Sequence, residues 1–284
     1  MLQPSFHIES ENINEQDFKS CRLLIVIDNG SLSYVFLNTT NMQAVCIKYF
    51  HLRDVQNREQ DEILREIIYE DELLSKDVNE VFLVYAFADS TLVPDAYFNE
   101  SLDKEFTNLI YGNLEKGLVL NEKVPWWDIY NVYRIPTEIQ RLFQFKFKTA
   151  KQLHYHSLLL KSHKKFSAAE LPENIQIVFL DDRMIVSIYK KGQLQLMQSF
   201  DYANQMDVAY HLLNCCEQLG LNQNELSLQI SGFIERRSAV YQELAKYFSN
   251  ISFEEIGDGV QVTDKLEKYP LHYFSSLLKL AACV

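Results

Sequence analysis

The sequence predicts an α/β fold built twice, with mixed sheets and helices on both faces. A meander of strands opens near residue 22, strands then alternate with helices, and the same pattern returns near residue 175. A repeat of about 150 residues argues for two similar domains rather than a solenoid.

The elements follow in chain order. Residues 23–28, LLIVID, form an apolar run that leads into Asn29-Gly30, and a second run, SLSYVFLN, follows. Asn-Gly between such runs predicts a type I′ hairpin, because both central residues of that turn need φ > 0. Ala44 to Phe50 adds a third strand. Ile63, Ile67 and Leu74 recur at helical spacing among acids, so 57–76 reads as a helix. Glu80–Phe87 reads as a strand, 101–116 as a helix and Ile129–Ile135 as a strand. Thr137 is placed as the cap of a short helix through Phe145. KQLHYHSLLL, 151–160, alternates and reads as a further strand, and Lys161–Leu171, polar and lysine-rich, as a linker.

The opening pattern then returns in IQIVFLDDRMIVSIYKKGQLQLMQSF, 175–200. Set beside 22–47, Asp181 falls on Asp28, Val178 on Ile25, Ile188 on Val35 and Tyr189 on Phe36, while Lys191-Gly192 supplies a hairpin turn. A helix at 204–219 follows, with Ala209, Leu213, Cys216 and Leu219 on one face and Gly220 as its stop. A strand at Leu226–Ile230, a helix at 235–248, a strand at Ile251–Ile256 and a helix at 270–282 complete the second half. Domains are expected at 1–165 and 166–284, with the C-terminal helix packing back on the first.

Composition bounds the function. The 284 residues are 47 % hydrophobic and 23 % charged, as in a globular protein. A net charge of −12 opposes nonspecific binding of nucleic acid, which needs Lys and Arg to displace counterions. Five cysteines without a CxxC pair indicate reduced thiols and a cytoplasmic location. The N-terminus lacks the basic-then-apolar pattern of a signal peptide, and no apolar run reaches the length of a membrane span. No Walker loop, G-x-S-x-G, HExxH or Cys–His nucleophile signature occurs.

A duplicated α/β domain, each copy opening with a meander whose first turn carries an Asp, resembles the actin-like ATPase superfamily: actin, sugar kinases and the heat-shock chaperone ATPase domain. It is distantly similar to bacterial actin-like proteins of type IV pilus assembly and cell division. Over nearly its whole length the chain resembles the bacterial domain-of-unknown-function family 3822, for which an actin-like (ribonuclease H-like) fold is expected.

The resemblance implies a nucleotide site made of two Asp-x-Gly turns gripping phosphates and magnesium, and a Gly-Gly turn against adenosine. Glycines there let bare backbone approach the ligand. Asp28-Asn29-Gly30 matches the first turn, with Ser31 and Ser33 adding hydroxyls. The second is Asp181-Asp182-Arg183, with Arg183 where Gly is expected and Asp182 adding a negative charge. Ser231-Gly232-Phe233 replaces the paired glycines. One turn is whole and two are eroded. The reading is therefore a non-catalytic actin-like protein without a cofactor, acting through protein interaction or self-association as a homo-oligomer. The alternative is an ATPase with an atypical interdomain pocket, using ATP with magnesium through Asp28, Asn29, Gly30, Ser31, Asp181 and Gly232.

Four further features weigh against their simpler readings. His154-x-His156 on a strand would face one way, with His163 nearby, but no local third ligand accompanies the pair, so a plain strand face is preferred. Residues 59–80 hold nine Asp/Glu against two Lys/Arg, while 141–165 hold seven Lys/Arg, three His and no acid. That pattern is either a site for an acidic partner, complementary patches between subunits, or two solvated faces; the last is preferred. Cys215-Cys216 reads as inert buried thiols. Trp126-Trp127 is either a packed corner or an exposed anchor.

Overall fold

The computed structural model describes residues 2–10, 18–53, 58–113, 117–163, 173–257 and 259–284. The end of the expected 101–116 helix and most of the expected linker lie outside them. The chain forms two compact units, one of Met1–His163, Asp258–Tyr269 and Leu277–Val284, the other of Lys164–Gly257 and Pro270–Ser276.

The first unit opens with β1 (Phe6–Glu9) and the meander β2 (Cys21–Ile27), β3 (Ser31–Asn38) and β4 (Ala44–His51). Helix α1 (Gln60–Glu70), β5 (Glu80–Tyr85), β6 (Ser90–Pro94), α2 (Asp103–Tyr111), β7 (Leu118–Val124) and β8 (Ile129–Ile135) follow. Helix α3 (Thr137–Lys146), β9 (Lys151–His154) and α4 (Tyr155–Ser162) end the segment. Its main sheet has the order β1-β4-β3-β2-β5-β9, antiparallel through the meander and parallel from β2 to β9. A second sheet, β6-β8-β7, is antiparallel.

Strands β2 and β3 are buried on both faces, as the central strands of a covered sheet must be. Leu23, Ile25, Tyr34 and Phe36 meet Ile63 and Ile67 of α1 and Ile139 and Phe143 of α3 in one core. Each such side chain contributes about 1.5–3 kcal/mol on burial. One ion pair sits inside: Lys48 Nζ lies 2.9 Å from both Asp71 carboxylate oxygens, and the Tyr34 hydroxyl donates to Asp71 at 2.7 Å. The charges offset each other and the hydroxyl takes up a remaining lone pair, which makes the burial tolerable.

In the second unit the meander is β10 (Asn174–Phe179), β11 (Arg183–Lys190) and β12 (Gln193–Asp201). Helix α5 (Gln205–Leu219), β13 (Ser227–Gly232), α6 (Ala239–Leu244) and β14 (Ile251–Phe253) follow; the last helix, α7 (Ser275–Cys283), belongs to the first unit from Leu277 onward. The sheet order is β12-β11-β10-β13-β14, with the last two strands parallel to β10. Asn204 and Asp207 form a reciprocal capping box at the start of α5, and Gly220 in the left-handed region ends it. Its buried face is Val208, Ala209, Leu212, Cys215 and Cys216, so both neighbouring cysteines are buried, whereas Leu213 and Leu219 are only half-buried.

Three local expectations change. Left-handed φ at both turn positions occurs at Lys191-Gly192 (51° and 70°), while neither Asn29 nor Gly30 has positive φ, so the first turn is not type I′. Thr137 is the first residue of α3 rather than its cap, since Pro136 takes the cap position. Residues 151–160 split into β9 and α4. The His154 side chain caps that helix, accepting the His156 N–H at 3.2 Å.

Candidate functional site

The first meander turn is closed by the Asp28 N–H donating to the Ser31 carbonyl at 3.0 Å. Side chains then define it. The Asp28 carboxylate, in a buried residue, accepts the Asn29 N–H. Gln60, the first residue of α1, donates from Nε2 to the carbonyls of Asp28 (2.8 Å) and Asn29 (3.0 Å). The Gly30 carbonyl accepts the Leu52 N–H at 2.8 Å. Short side-chain bonds of this kind compete with ordinary turn geometry, which is why Asn-Gly does not adopt type I′ here. The Asn29 N–H, one of those a phosphate turn would present, is already engaged by the turn's own Asp. Ser31 and Ser33 are buried.

The second turn is built alike: the Leu180 N–H donates to the Arg183 carbonyl at 2.9 Å. This bond fixes the correspondence between the copies. Leu180 matches Asp28, Asp181 matches Asn29, Asp182 matches Gly30 and Arg183 matches Ser31, one residue away from the sequence register above. Strand ends agree, since Ile27 and Phe179 end β2 and β10, and Ser31 and Arg183 begin β3 and β11. Arg183 is therefore a buried strand residue rather than a turn residue. The turn's outer acids are Asp181 and Asp182, both half-exposed. The Asp182 carbonyl accepts the Tyr202 N–H and the Leu180 carbonyl accepts the Tyr202 hydroxyl. Burial, reinforced by Asp181 and Asp182, pushes that phenol up to about 12.

At the end of β13, Ser231 Oγ donates to the Ile177 carbonyl at 3.3 Å and Gly232 adopts φ +86°. A Cβ on Gly232 would overlap the Phe179 carbonyl of the neighbouring strand. Close strand approach thus accounts for the glycine. Phe233 packs edge-on against Tyr273 and Phe274.

Beside the first turn the first unit holds a cavity of about 720 Å³, bordered by Asn29, Asp89, Gly117, Arg134, Thr137 and Arg141. Both cations there have a carboxylate partner. Arg134, on β8, lies 2.9 Å from the Asp89 carboxylate through both Nε and a terminal nitrogen, and donates to the Gly112 carbonyl at 3.3 Å. The exposed Arg141 pairs with Glu138 at 3.2 Å. Gly117 gives Arg134 its space, since a Cβ there would stand 2.7 Å from its Cγ. Two arginines set against two carboxylates leave the lining with little net attraction for a polyphosphate. Arg134, Asp89 and Gln60 were not anticipated. An Arg inside the apolar strand IYNVYRI was the one readable signal.

His154 and His156, which the strand reading would have placed together on one face, enter a buried polar network. His154 Nε2 bonds the Phe87 carbonyl at 3.0 Å and His156 Nδ1 bonds Ser90 Oγ at 3.1 Å. Ser90 donates to Asn131, which donates to Ser157. The His154 N–H donates to Glu122, whose carboxyl burial pushes up to about 7. No group of three metal-ligating side chains occurs among the described residues. His163 lies 3.3 Å from Lys279. Trp127 is the packed corner, donating to the Leu160 carbonyl at 2.9 Å, and Trp126 is exposed. The acidic and basic segments meet within the first unit, where Lys151 pairs with Glu80 at 2.9 Å and Lys146 sits over the Tyr69 ring. No helix among the described residues is long and apolar enough to cross a membrane.

Duplicated sheets that each open with a meander and continue in parallel strands define the actin-like ATPase fold, to which this protein belongs. It is similar to a Bacteroides thetaiotaomicron protein of actin-like ATPase fold and unknown function, with a TM-score of 0.79 and 17 % identity over 96 % of this chain and 100 % of that one. The chain belongs to the protein family of unknown function DUF3822, whose model matches residues 10–251. It is also similar to a chain of a PilM–PilN type IV pilus biogenesis complex, with a TM-score of 0.57 and 12 % identity over 92 % of this chain and 97 % of that one. These identities carry the fold alone. A search of curated proteins finds no match to the sequence.

Proposed function

We propose that this protein is a non-catalytic member of the actin-like fold that acts by binding protein, itself or another, with a nucleotide site too altered to hold ATP and magnesium. The observation that carries the reading is the first turn. Asp28 Oδ1 accepts the Asn29 N–H, one of the groups a phosphate would need, while Gln60 and Leu52 take the turn's carbonyls. The second turn supports it with two acids where phosphate oxygens would approach. The similarity to a chain of a two-protein complex is in keeping with work done through protein contacts.

Calorimetry and thermal shift with Mg-ATP test the reading, on the natural chain and on Asp28→Asn, which keeps an acceptor for the turn. The expected result is no heat and no shift at millimolar nucleotide. Micromolar binding that Asp28→Asn abolishes would overturn it and establish an ATP-binding protein with an unusual pocket.

A further inference from the structure

The cavity beside the first turn is bordered by two ion pairs of unlike rigidity. Arg134 is buried, and its Nε and one terminal nitrogen both lie 2.9 Å from a single carboxylate oxygen, Asp89 Oδ2. Its other terminal nitrogen donates to the Gly112 carbonyl, so the guanidinium is held from two sides. Asp89 is thereby fixed, but only through one oxygen. Its Oδ1 has no hydrogen-bond partner among the described residues, and the side chain is 27 % exposed.

The second pair, Arg141 and Glu138, spans one turn of α3 and stands in water, with side chains 69 % and 74 % exposed. An exposed pair of this kind contributes little and exchanges readily for another partner. Thr137, four residues before Arg141, lies on the same face of the helix. Neither its hydroxyl nor the Asn29 side-chain amide is bonded among the described residues. Phe87 and Ile135, both buried, give the cavity an apolar wall.

We propose that this cavity binds a small zwitterion of the amino-acid class, its ammonium received by Asp89 Oδ1 and its carboxylate by Arg141 and Thr137. The proposal goes beyond the protein-binding reading and does not depend on it. The charges of the lining cancel in sum but not in place. A polyphosphate entering it meets Asp89 and Glu138, and a bare cation meets Arg134 and Arg141, whereas a molecule carrying both charges finds a partner for each. Arg134 is the positioning residue here, since its bonds to Oδ2 aim Asp89 without occupying Oδ1. Arg141 is the movable one, released from Glu138 when a carboxylate arrives. At about 720 Å³ the cavity falls within the range of small-molecule sites, about 300–1,000 Å³, with room for several carbons between the two charges. The apolar wall suits those carbons.

Isothermal titration calorimetry of the full chain tests the assignment with glycine, 4-aminobutyrate and 6-aminohexanoate, which set the two charges progressively further apart. Hexanoate, hexylamine and the neutral hexanamide are the controls, each lacking one or both charges. The expected result is that at least one zwitterion binds below 1 mM and that the controls bind at least tenfold more weakly. Arg141→Ala removes an exposed side chain, should leave the circular dichroism spectrum unchanged, and should weaken the zwitterion at least tenfold. Asp89→Asn keeps an acceptor for Arg134 but loses the partner of the ammonium, so it should weaken the zwitterion at least tenfold without weakening hexanoate. A purely structural role for Asp89 would not separate the two ligands. No heat from any of the three zwitterions at 10 mM would overturn the proposal. So would equal binding of a control, or zwitterion binding that Arg141→Ala leaves unchanged. The titration with Mg-ATP is read separately, so a failure here leaves the nucleotide reading as it stands.

Discussion

Gly232 and Asp28 are the two residues on which a nucleotide site would most depend, and each already has a structural duty. Gly232 sits where β13 runs beside β10, with a φ that L side chains rarely adopt and no room for a Cβ. Gly232→Ala should therefore destabilise the second unit by at least about 2 kcal/mol, from left-handed strain plus steric overlap. Urea unfolding followed by far-UV circular dichroism checks it; an unchanged midpoint would show that the strands separate freely there. Asp28 acts on its own turn. That local bond could not be read from Asp-Asn-Gly, whose composition suits a phosphate turn and a tight hairpin equally well. The decisive partner, Gln60, lies 32 residues away in sequence and carries no motif.

At the scale of elements, the junction of β9 and α4 shows both what the sequence conveys and where it misleads. KQLHYHSLLL alternates well enough to read as one strand, but His154 stops the strand and caps a helix, a role its residue type seldom signals. The meanders were legible because long apolar runs separated by turns leave few alternatives. Their mutual register was not, because β2, β3 and β11 are buried on both faces and offer no polar alternation to fix it. The buried network at the β9–α4 junction has a pH consequence. An unfolded Glu122 titrates near 4.5, whereas burial holds the folded carboxyl near 7 against the hydrogen bonds from Ser157 and the His154 N–H. Below the lower value both states are protonated and nothing is lost. Between the two, the folded chain keeps a proton that the unfolded chain has released, so stability falls as pH rises and levels off above 7. The loss is at most about 3 kcal/mol. Glu122→Gln keeps an acceptor for His154 and removes the titration. It should match the natural chain near pH 4 and exceed its stability by about 1–3 kcal/mol at pH 8. Parallel stability curves for the two proteins would refute this.

Across the whole molecule, the two copies have diverged in how they are completed rather than in how they are built. Both keep the meander and the parallel strands, but among the described residues the first adds β1 at one edge and the β6-β8-β7 sheet, which the second lacks. Opposite charges at 59–80 and 141–165 are partly used inside the first unit, through Lys151–Glu80, which leaves less of the basic segment for an acidic partner. Among the described residues each unit also has an apolar cluster of its own. That division predicts how damage spreads. Leu212 is fully buried on α5, and Leu212→Ala should cost about 2–5 kcal/mol through lost burial and the cavity left behind. In a unit of roughly 100 residues each kcal/mol lowers Tm by about 4–8 °C, so a shift of about 10 °C or more is expected. Calorimetry should show one transition moving down while a second stays in place, since chains with several cores need not unfold in one step. A single endotherm that moves as a whole would instead mean that the second core supports the first, and that the two units unfold as one.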